Sequence, residues 1–358
     1  MIGTGARALP SLLVQHDRWP FDASLVARRP IDVVCVGNAL VDRLAHATPA
    51  EVRAVRLQPG GMTLVDGQRS REIERAFPSW SQVAGGSAAN TAAGIASLGG
   101  SPAFAGAVGD DEDGRWYATD LERAGVRCSV ARVASGEPTG VCHVLVTEQG
   151  ERSMATSLGA AGDLPLTSVE LVGVDRARAV YLEGYLLDPP LAAVTIERSL
   201  EMARSASTVV SLSLSDPLLV ERHAQRVADL VYGGAVDLVF GNEDEALALT
   251  GAGSRREAIA RLRRSGLAAV VTLGESGAVA VLPDEEILVP ALQPPRVKDT
   301  TGAGDLFAAG CLWGVTHGLG PEESLRLGAF AAAEVISHLG ARPVVNLRTA
   351  AAGLLLAR

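Results

Sequence analysis

A chain of 358 residues, 47% hydrophobic and 20% charged, is long enough for one large α/β domain or two smaller ones with a sizeable core. Its net charge of −9 disfavours nucleic acid or an anionic membrane as the main partner, but leaves room for a phosphate ligand, which needs only local donors. Lys298 is the only lysine, which excludes a P-loop and a protein-kinase strand lysine, and a Schiff-base enzyme would have to use Lys298 itself.

Residues 1–30 read as an extension, with Ser11-Leu12-Leu13-Val14 too short for a signal-peptide core. No run is long enough to span a membrane, and a cytoplasmic location is expected. Cys35, Cys128, Cys142 and Cys311 form no Cys-x-x-Cys pair and read as small buried hydrophobes in a reducing compartment. The six histidines form no cluster, and His143 reads as a strand position.

Ile31–Gly37 is a continuous β-branched run, expected to be a strand buried on both faces of a parallel sheet. Asn38-Ala39-Leu40-Val41-Asp42 reads as the loop at its carboxyl end, where α/β folds bind ligands. Residues 43–84 read as irregular, with a short strand near Gly61–Asp66. Gly85-Gly86-Ser87-Ala88-Ala89-Asn90 opens a tightly packed helix that ends at Gly99. Ala103–Gly109 is a strand and Asp110–Ala124 an acid-capped helix. Val141–Thr147 and Arg152–Thr156 read as a hairpin with a Gly-containing turn, which with 43–66 makes a small second sheet. From 177 onward, apolar strands at Ala179–Leu182, Thr208–Leu214, Val236–Phe240, Ala268–Leu273 and Ala278–Leu282 alternate with helices, implying a right-handed parallel sheet covered on both faces. Pro295-Arg296-Val297 reads as a strand-like approach to a last Gly-rich turn, and helices at Leu306–Thr316 and Pro321–Leu339 close the domain.

Four constellations carry candidate chemistry. Gly302, Ala303 and Gly304 precede a helix, so backbone N–H groups and the helix dipole make an anion site, and Asp305 beside it is suited to take a proton from an attacking hydroxyl. The same stretch reads equally as a plain Gly-rich turn with an acidic first turn. Asn38, Asp42, Gly85, Gly86 and Asn90 supply the acceptors and donors that suit a vicinal diol. Gly241-Asn242-Glu243-Asp244-Glu245 either faces a hydrated Mg²⁺ or is an ordinary helix N-cap. Thr272-Leu273-Gly274-Glu275-Ser276-Gly277 ends another strand and could border a nucleotide. Lys298 reads as a local pair or a solvated lysine. A nucleotide-binding oxidoreductase would need Gly-x-Gly-x-x-Gly after the first strand, and Gly37-Asn38-Ala39-Leu40 does not supply it.

Asp299-Thr300-Thr301-Gly302-Ala303-Gly304-Asp305 resembles the C-terminal motif of the ribokinase (PfkB) family of carbohydrate and nucleoside kinases, and Gly85–Asn90 with Gly99-Gly100 resembles its N-terminal motif. The Asn242-x-x-Glu245 spacing is similar to its magnesium-associated motif. The resemblance covers about 31–345 and implies a three-layer α/β/α sandwich, mostly parallel, across 31–358, with a small β-sheet lid from about 43–66 and 130–157. It implies ATP-dependent phosphorylation of a hydroxymethyl group. Asp305 is then the base, the amides of Gly302, Ala303 and Gly304 the anion hole, and Asn242 and Glu245 the partners of Mg²⁺, mostly through water. Asp42, Asn38, Gly85, Gly86 and Asn90 bind the sugar, while Thr272, Gly274, Gly277 and Gly302 line the nucleotide site. A monovalent cation such as K⁺ and a homodimer through the lid are further expectations. Gly37–Asp42, Gly61–Asp66, Glu183-Gly184-Tyr185 and Gly340-Ala341-Arg342-Pro343 look most like the bacterial adenosine kinase-like branch. Adenosine is therefore the expected acceptor, with Leu40, Met62, Tyr185 and Leu186 as an apolar slot for the base; a free sugar or sugar phosphate is the alternative. Leu186 falls where a stacking aromatic is expected.

Overall fold

A computed structural model of the chain describes residue 19 and residues 29–133, 136–148, 151–189 and 192–356. Most of the expected 1–30 extension and the Gly-containing turn at 149–150 lie outside the described residues. The strands, in chain order, are β1 Ile31–Val36, β2 Leu40–His46, β3 Met62–Leu64, β4 Ser81–Gly85, β5 Ala103–Gly109, β6 Arg127–Val133 and β7 Gly140–Val146. They continue with β8 Arg152–Ser157, β9 Ala177–Glu183, β10 Val209–Ser213, β11 Leu238–Asn242, β12 Ala268–Thr272, β13 Ala278–Val281 and β14 Glu286–Val289.

Nine strands form the main sheet in the order β14-β13-β12-β11-β10-β9-β1-β5-β6. The pairs from β6 to β12 are parallel, and β13 and β14 add on antiparallel. β1 is buried along its whole length, as its unbroken Ile-Asp-Val-Val-Cys-Val run requires. Two apolar layers flank the sheet. One packs the helices Ser87–Ser97, Ala303–Thr316 and Pro321–Val335 against it through side chains such as Ile95, Leu306 and Leu327. The other packs the helices Leu166–Val172, Ala192–Ala206 and Arg255–Ser265 through Val169, Ile196 and Leu262. Trp19 is buried in the first layer, and Arg29 donates to Ala177 O and Thr208 Oγ1, both at 2.6 Å.

Five strands form the second sheet in the order β3-β8-β7-β2-β4. Several local expectations are corrected here. Asn38–Asp42 is not all loop, since β2 begins at Leu40 and carries Asp42 into the small sheet. Residues 43–84 are not irregular, holding the helices Pro49–Ala54 and Gly67–Ala76, capped by Thr48 and Asp66, as well as β3 and β4. Residues 130–133 belong to β6 of the main sheet. Pro295–Val297 forms no strand. Between β10 and β11 the chain forms two helices, Pro217–Arg222 and Ala224–Tyr232, which meet at His223.

The small sheet is two-faced. In register, Asp42 pairs with Cys142, which pairs with Thr156, and Met62 pairs with Met154, which pairs with Val144. This face looks onto the main sheet. The opposite face packs Leu145 and Ala155 under Val52, Leu57, Ile73 and Phe77 from the two helices and their connection.

Candidate active site

The carboxyl end of the main sheet and the inner face of the small sheet enclose a cavity of about 730 Å³. Two helix N-termini point into it. The helix Ala303–Thr316 starts at Gly302, whose φ of +77° is a left-handed conformation that favours glycine. A Cβ on Gly302 would also meet Ala341 O at 2.6 Å. The helix Ser87–Ser97 starts at Gly86. Neither cap residue makes a side-chain hydrogen bond, but the Ala88 N–H of the second helix is taken by Glu183 Oε2 at 2.9 Å, so the open anion-binding end is chiefly that of the helix Ala303–Thr316. The Ala303 N–H turns back to Thr300 O at 3.3 Å, whereas a Cβ on Gly304 would meet nothing within 4 Å.

Asp305 sits where the two helices meet. Its carboxylate accepts from Ser87 Oγ (2.7 Å) and Asn90 Nδ2 (3.0 Å), which fix both oxygens. Burial raises its pKa above the usual carboxylate range, and those two hydrogen bonds counteract the shift. A carboxylate so held is oriented and more basic than one in water.

Five further acidic groups line the same cavity, and burial raises the pKa of three of them, Asp42, Glu183 and Glu245. Burial pushes Asp42 up to about 7, while Arg342 and Arg152 pull it down. Gly85 is a close-packing position rather than a lining one, because a Cβ there would run into the Asp42 carboxyl. Glu183, 1% exposed, accepts from the backbone N–H of Asn38 (2.7 Å) and Ala88 (2.9 Å), and burial pushes it up to about 7. Glu245 is also pushed up to about 7 by burial. It forms a reciprocal capping box with Asn242: Asn242 N donates to Oε2 (3.1 Å), Asn242 Nδ2 donates to Oε1 (2.7 Å), and Glu245 N donates to Asn242 Oδ1 (2.9 Å). The stretch is thus a helix N-cap, and both Asn242 and Glu245 line the cavity.

Asn38, Leu40, Met62, Tyr185, Thr272 and Gly274 line the cavity. Tyr185 donates its hydroxyl to Ser215 O at 3.1 Å. Besides Gly85, two expected residues do not line it. Gly277 packs its backbone against Val289 O and Ala291 N in the β12–β13 turn, away from the cavity. Leu186 is fully buried in the core layer instead of facing a base. Lys298 is exposed, with its backbone N–H on Ile336 O at 2.8 Å.

A family model described as pfkB family carbohydrate kinase matches residues 31–347. The chain belongs to the pfkB family. A solved adenosine kinase from Sinorhizobium meliloti is 39% identical, with a TM-score of 0.87 over 90% of this chain and 99% of that one. A probable sugar kinase from Rhizobium etli is 38% identical, with a TM-score of 0.88 over 91% and 99%. The adenosine kinase of Saccharomyces cerevisiae is 30% identical over 331 residues, 86% of this chain and 95% of its own. As a pfkB-family kinase the chain is a phosphotransferase that uses ATP and an alcohol acceptor. No helix among the described residues is long and apolar enough to cross a membrane.

For a pfkB-family site, sequence reading missed three residues. Ser87 sits inside the recognised Gly85–Asn90 stretch, but its bond to Asp305 crosses 218 positions. Glu183 had a signal, an acid directly after the apolar run Ala179–Leu182 of β9. Arg152 of β8 forms a buried ion pair with Asp299, which also accepts from Thr301 N (2.9 Å) and Gly340 N (2.7 Å). Its signal is the period-two set Arg152, Met154, Thr156 on the inner face.

Proposed function

We propose that this kinase transfers the γ-phosphoryl of ATP to the 5′-hydroxymethyl group of a ribonucleoside, with adenosine the leading acceptor. The observation that carries the reading is the Asp305 carboxylate, fastened by Ser87 and Asn90 beside an uncapped helix N-terminus and opposite Asp42. An acceptor hydroxyl within reach of Asp305 gives up its proton there as its oxygen attacks the γ-phosphorus in line. The amides around Gly302–Gly304 and the helix dipole stabilise the charge on the transferring group. Asp42, Asn38 and Asn90 hold the sugar hydroxyls, and the small sheet acts as a lid that excludes water. The nucleotide lies toward Thr272, Gly274 and Gly302.

Residues 31–356 act as one kinase domain, the lid drawing on strands β2, β3, β4, β7 and β8. The fit to Mg²⁺ is good at Asn242 and Glu245. That acid faces the cavity with both oxygens already bonded to Asn242, which suits contact through water. When bound, the ion neutralises phosphate charge. What favours a nucleoside over a free sugar is the wall of Leu40, Met62, Val144, Met154 and Leu158, which gives a base an apolar surface that a pentose does not need. The similarity to the Sinorhizobium adenosine kinase supports the same choice. The sugar-kinase reading draws on the Rhizobium relative and on the burial of Leu186.

A thermal-shift panel of nucleosides and free sugars, followed by ATP consumption assays, tests the reading. Stabilisation and turnover with adenosine, but not with ribose or fructose, is the expected result. Turnover of a free sugar without adenosine would transfer the assignment to the sugar-kinase reading.

A further inference from the structure

Glu183 ends β9 in the interior of the main sheet and is 1% exposed. Oε1 accepts from the backbone N–H of Asn38 at 2.7 Å, and Oε2 accepts from that of Ala88 at 2.9 Å. The Asn38 side chain adds a third hydrogen bond. One carboxylate therefore joins the carboxyl end of β1 to the first turn of the helix Ser87–Ser97, across 145 and 95 positions of sequence. The fit is tight. A Cβ on Gly37 would lie 2.3 Å from Glu183 Oε2 and 2.6 Å from Ala88 Cβ, and one on Gly86 would lie 2.2 Å from Asn38 O. Two glycines thus let three chain segments close on a single side chain.

The point of contact on the helix matters. An N-cap residue ordinarily offers a side-chain oxygen to the N–H of the second or third helical residue. Here the N-cap is Gly86, which has no such oxygen, and Ala88 is the second residue of the helix. Glu183 supplies the missing acceptor from another strand, and its negative charge suits the positive end of the helix dipole. The residues around that contact are those that hold Asp305. Ser87 Oγ donates to its carboxylate at 2.7 Å and Asn90 Nδ2 at 3.0 Å, while Thr91 Oγ1 donates to its backbone O at 3.2 Å.

We infer that Glu183 is a positioning residue for phosphoryl transfer: an N-cap supplied from β9 that fixes the start of the helix Ser87–Ser97 and, through Ser87 and Asn90, the aim of the Asp305 carboxylate. This rests on Asp305 being the base, as proposed above. Glu183 acts through those two residues and not on the substrate. Without its oxygens, the Ala88 and Asn38 N–H groups lose their partners in the interior, and the helix start is free to shift. A displacement on the order of 1 Å there passes to Asp305, where it costs turnover rather than ATP binding.

The test is a double-variant cycle, read as the single-turnover rate with labelled ATP and as KM for ATP. The acceptor is adenosine, or the free sugar if that is what the panel above turns over. Glu183→Ala, which removes both acceptor oxygens, should lower the rate about a hundredfold while KM for ATP stays within about twofold of wild type. Glu183→Gln keeps one acceptor oxygen and should restore about tenfold of that loss. In the Asp305→Asn background either change should cost less than about threefold, because no base is left to aim. Losses of equal size in the two backgrounds overturn this inference alone, as does a folded Glu183→Ala chain with a rate within about threefold of wild type. A near-wild-type rate in Asp305→Asn by itself sinks the base assignment and this inference together. If Glu183→Ala does not fold, Glu183→Gln carries the cycle: a loss of about tenfold in the wild-type background supports the inference, and no loss overturns it.

Discussion

The two walls of the cavity differ in what holds them. On the main-sheet side, functional groups are fastened to backbone and to one another: Asp305 by Ser87 and Asn90, Glu183 by two backbone amides, Glu245 by a capping box. On the small-sheet side the surface is largely aliphatic and thioether, from Leu40, Met62, Val144 and Met154. That wall is tied to the body by Arg152 to Asp299 and by Arg43 to Asp113 at 2.7 Å. The difference separates two tasks. Orientation of reacting atoms needs groups with no freedom, whereas enclosing a variable part of a substrate needs area and adaptable packing.

The largest effect should come from the fastened wall. Asp305→Asn keeps the size and the contact with Ser87 but removes the base, so kcat should fall by about 10²–10⁴-fold with acceptor affinity largely kept. Rapid-quench turnover and calorimetric binding measure the two separately. Near-wild-type turnover would remove Asp305 from the mechanism and leave the comparison of walls without its chemical half. In the wild type, the raised pKa of Asp305 makes kcat fall as pH is lowered through that value, because the protonated acid cannot take a proton.

The tie between the walls ranks next. Arg152→Ala leaves Asp299, fully buried, without a cation, at a cost to stability of about 3–5 kcal/mol. Urea unfolding reads this directly. Adding Asp299→Asn to that variant should recover part of the loss, since the stranded charge is then gone. An unchanged loss in the double variant would mean that packing of the arginine stem, not the ion pair, joins the sheets.

The two walls were also unequally legible. The main sheet announces itself because strands such as Ile31–Val36 and Ala268–Thr272 are buried on both faces and read as apolar runs. The turn Asp299–Asp305 and the helix start at Gly85–Asn90 are compact in sequence, so their chemistry is visible locally. The small sheet is assembled from distant pieces: Asp42 pairs with Cys142, and that pairing, not local propensity, makes Leu40–His46 a strand. With Asp42, Arg43 and His46 in it, the segment carries no clean alternation. Arg152 is one polar residue among several until Asp299, 147 positions away, gives it meaning. Gly277 misled for the converse reason. Its left-handed φ of +97° serves a turn into antiparallel β13, whereas a glycine after a strand can equally serve a nucleotide. Leu186 shows the same limit, since neighbours in the short helical turn Gly184–Leu187 diverge, Tyr185 to the cavity and Leu186 to the core.

A smaller effect separates the fastened wall from an ordinary buried carboxyl. Glu183 holds its proton up to about 7 in the native chain but only up to its ordinary 4.5 when unfolded. Between those values the native state binds more protons, so this group makes stability fall as pH rises from about 4.5 to about 7, with no further change above. Its contribution over that window is on the order of 3 kcal/mol. Glu183→Gln should flatten the decline in unfolding free energy between pH 5 and 7, measured by urea titration at each pH. Asp111, whose pKa is lowered, acts in the opposite sense but equally in both proteins, so it cancels in the difference. An unchanged slope would mean that Glu183 is charged and stabilised by its two amide donors across the whole range.

The smallest effect belongs to the aliphatic wall and tests the acceptor itself. Met62 on β3 lies beside Met154 on β8, and both face the cavity. Met62→Ala removes apolar contact area without touching Asp305, Asp42 or the Gly turn. If a base rests there, KM for adenosine should rise about tenfold while kcat stays near the wild-type value, because the lost contact serves ground state and transition state alike. A free pentose, which has nothing to lay against that wall, should show little change in KM. Equal shifts for the nucleoside and the pentose would place the sugar rather than the base under Met62. The small sheet would then be a cover over the reacting group, and what distinguishes acceptors would have to lie on the fastened wall beside Tyr185.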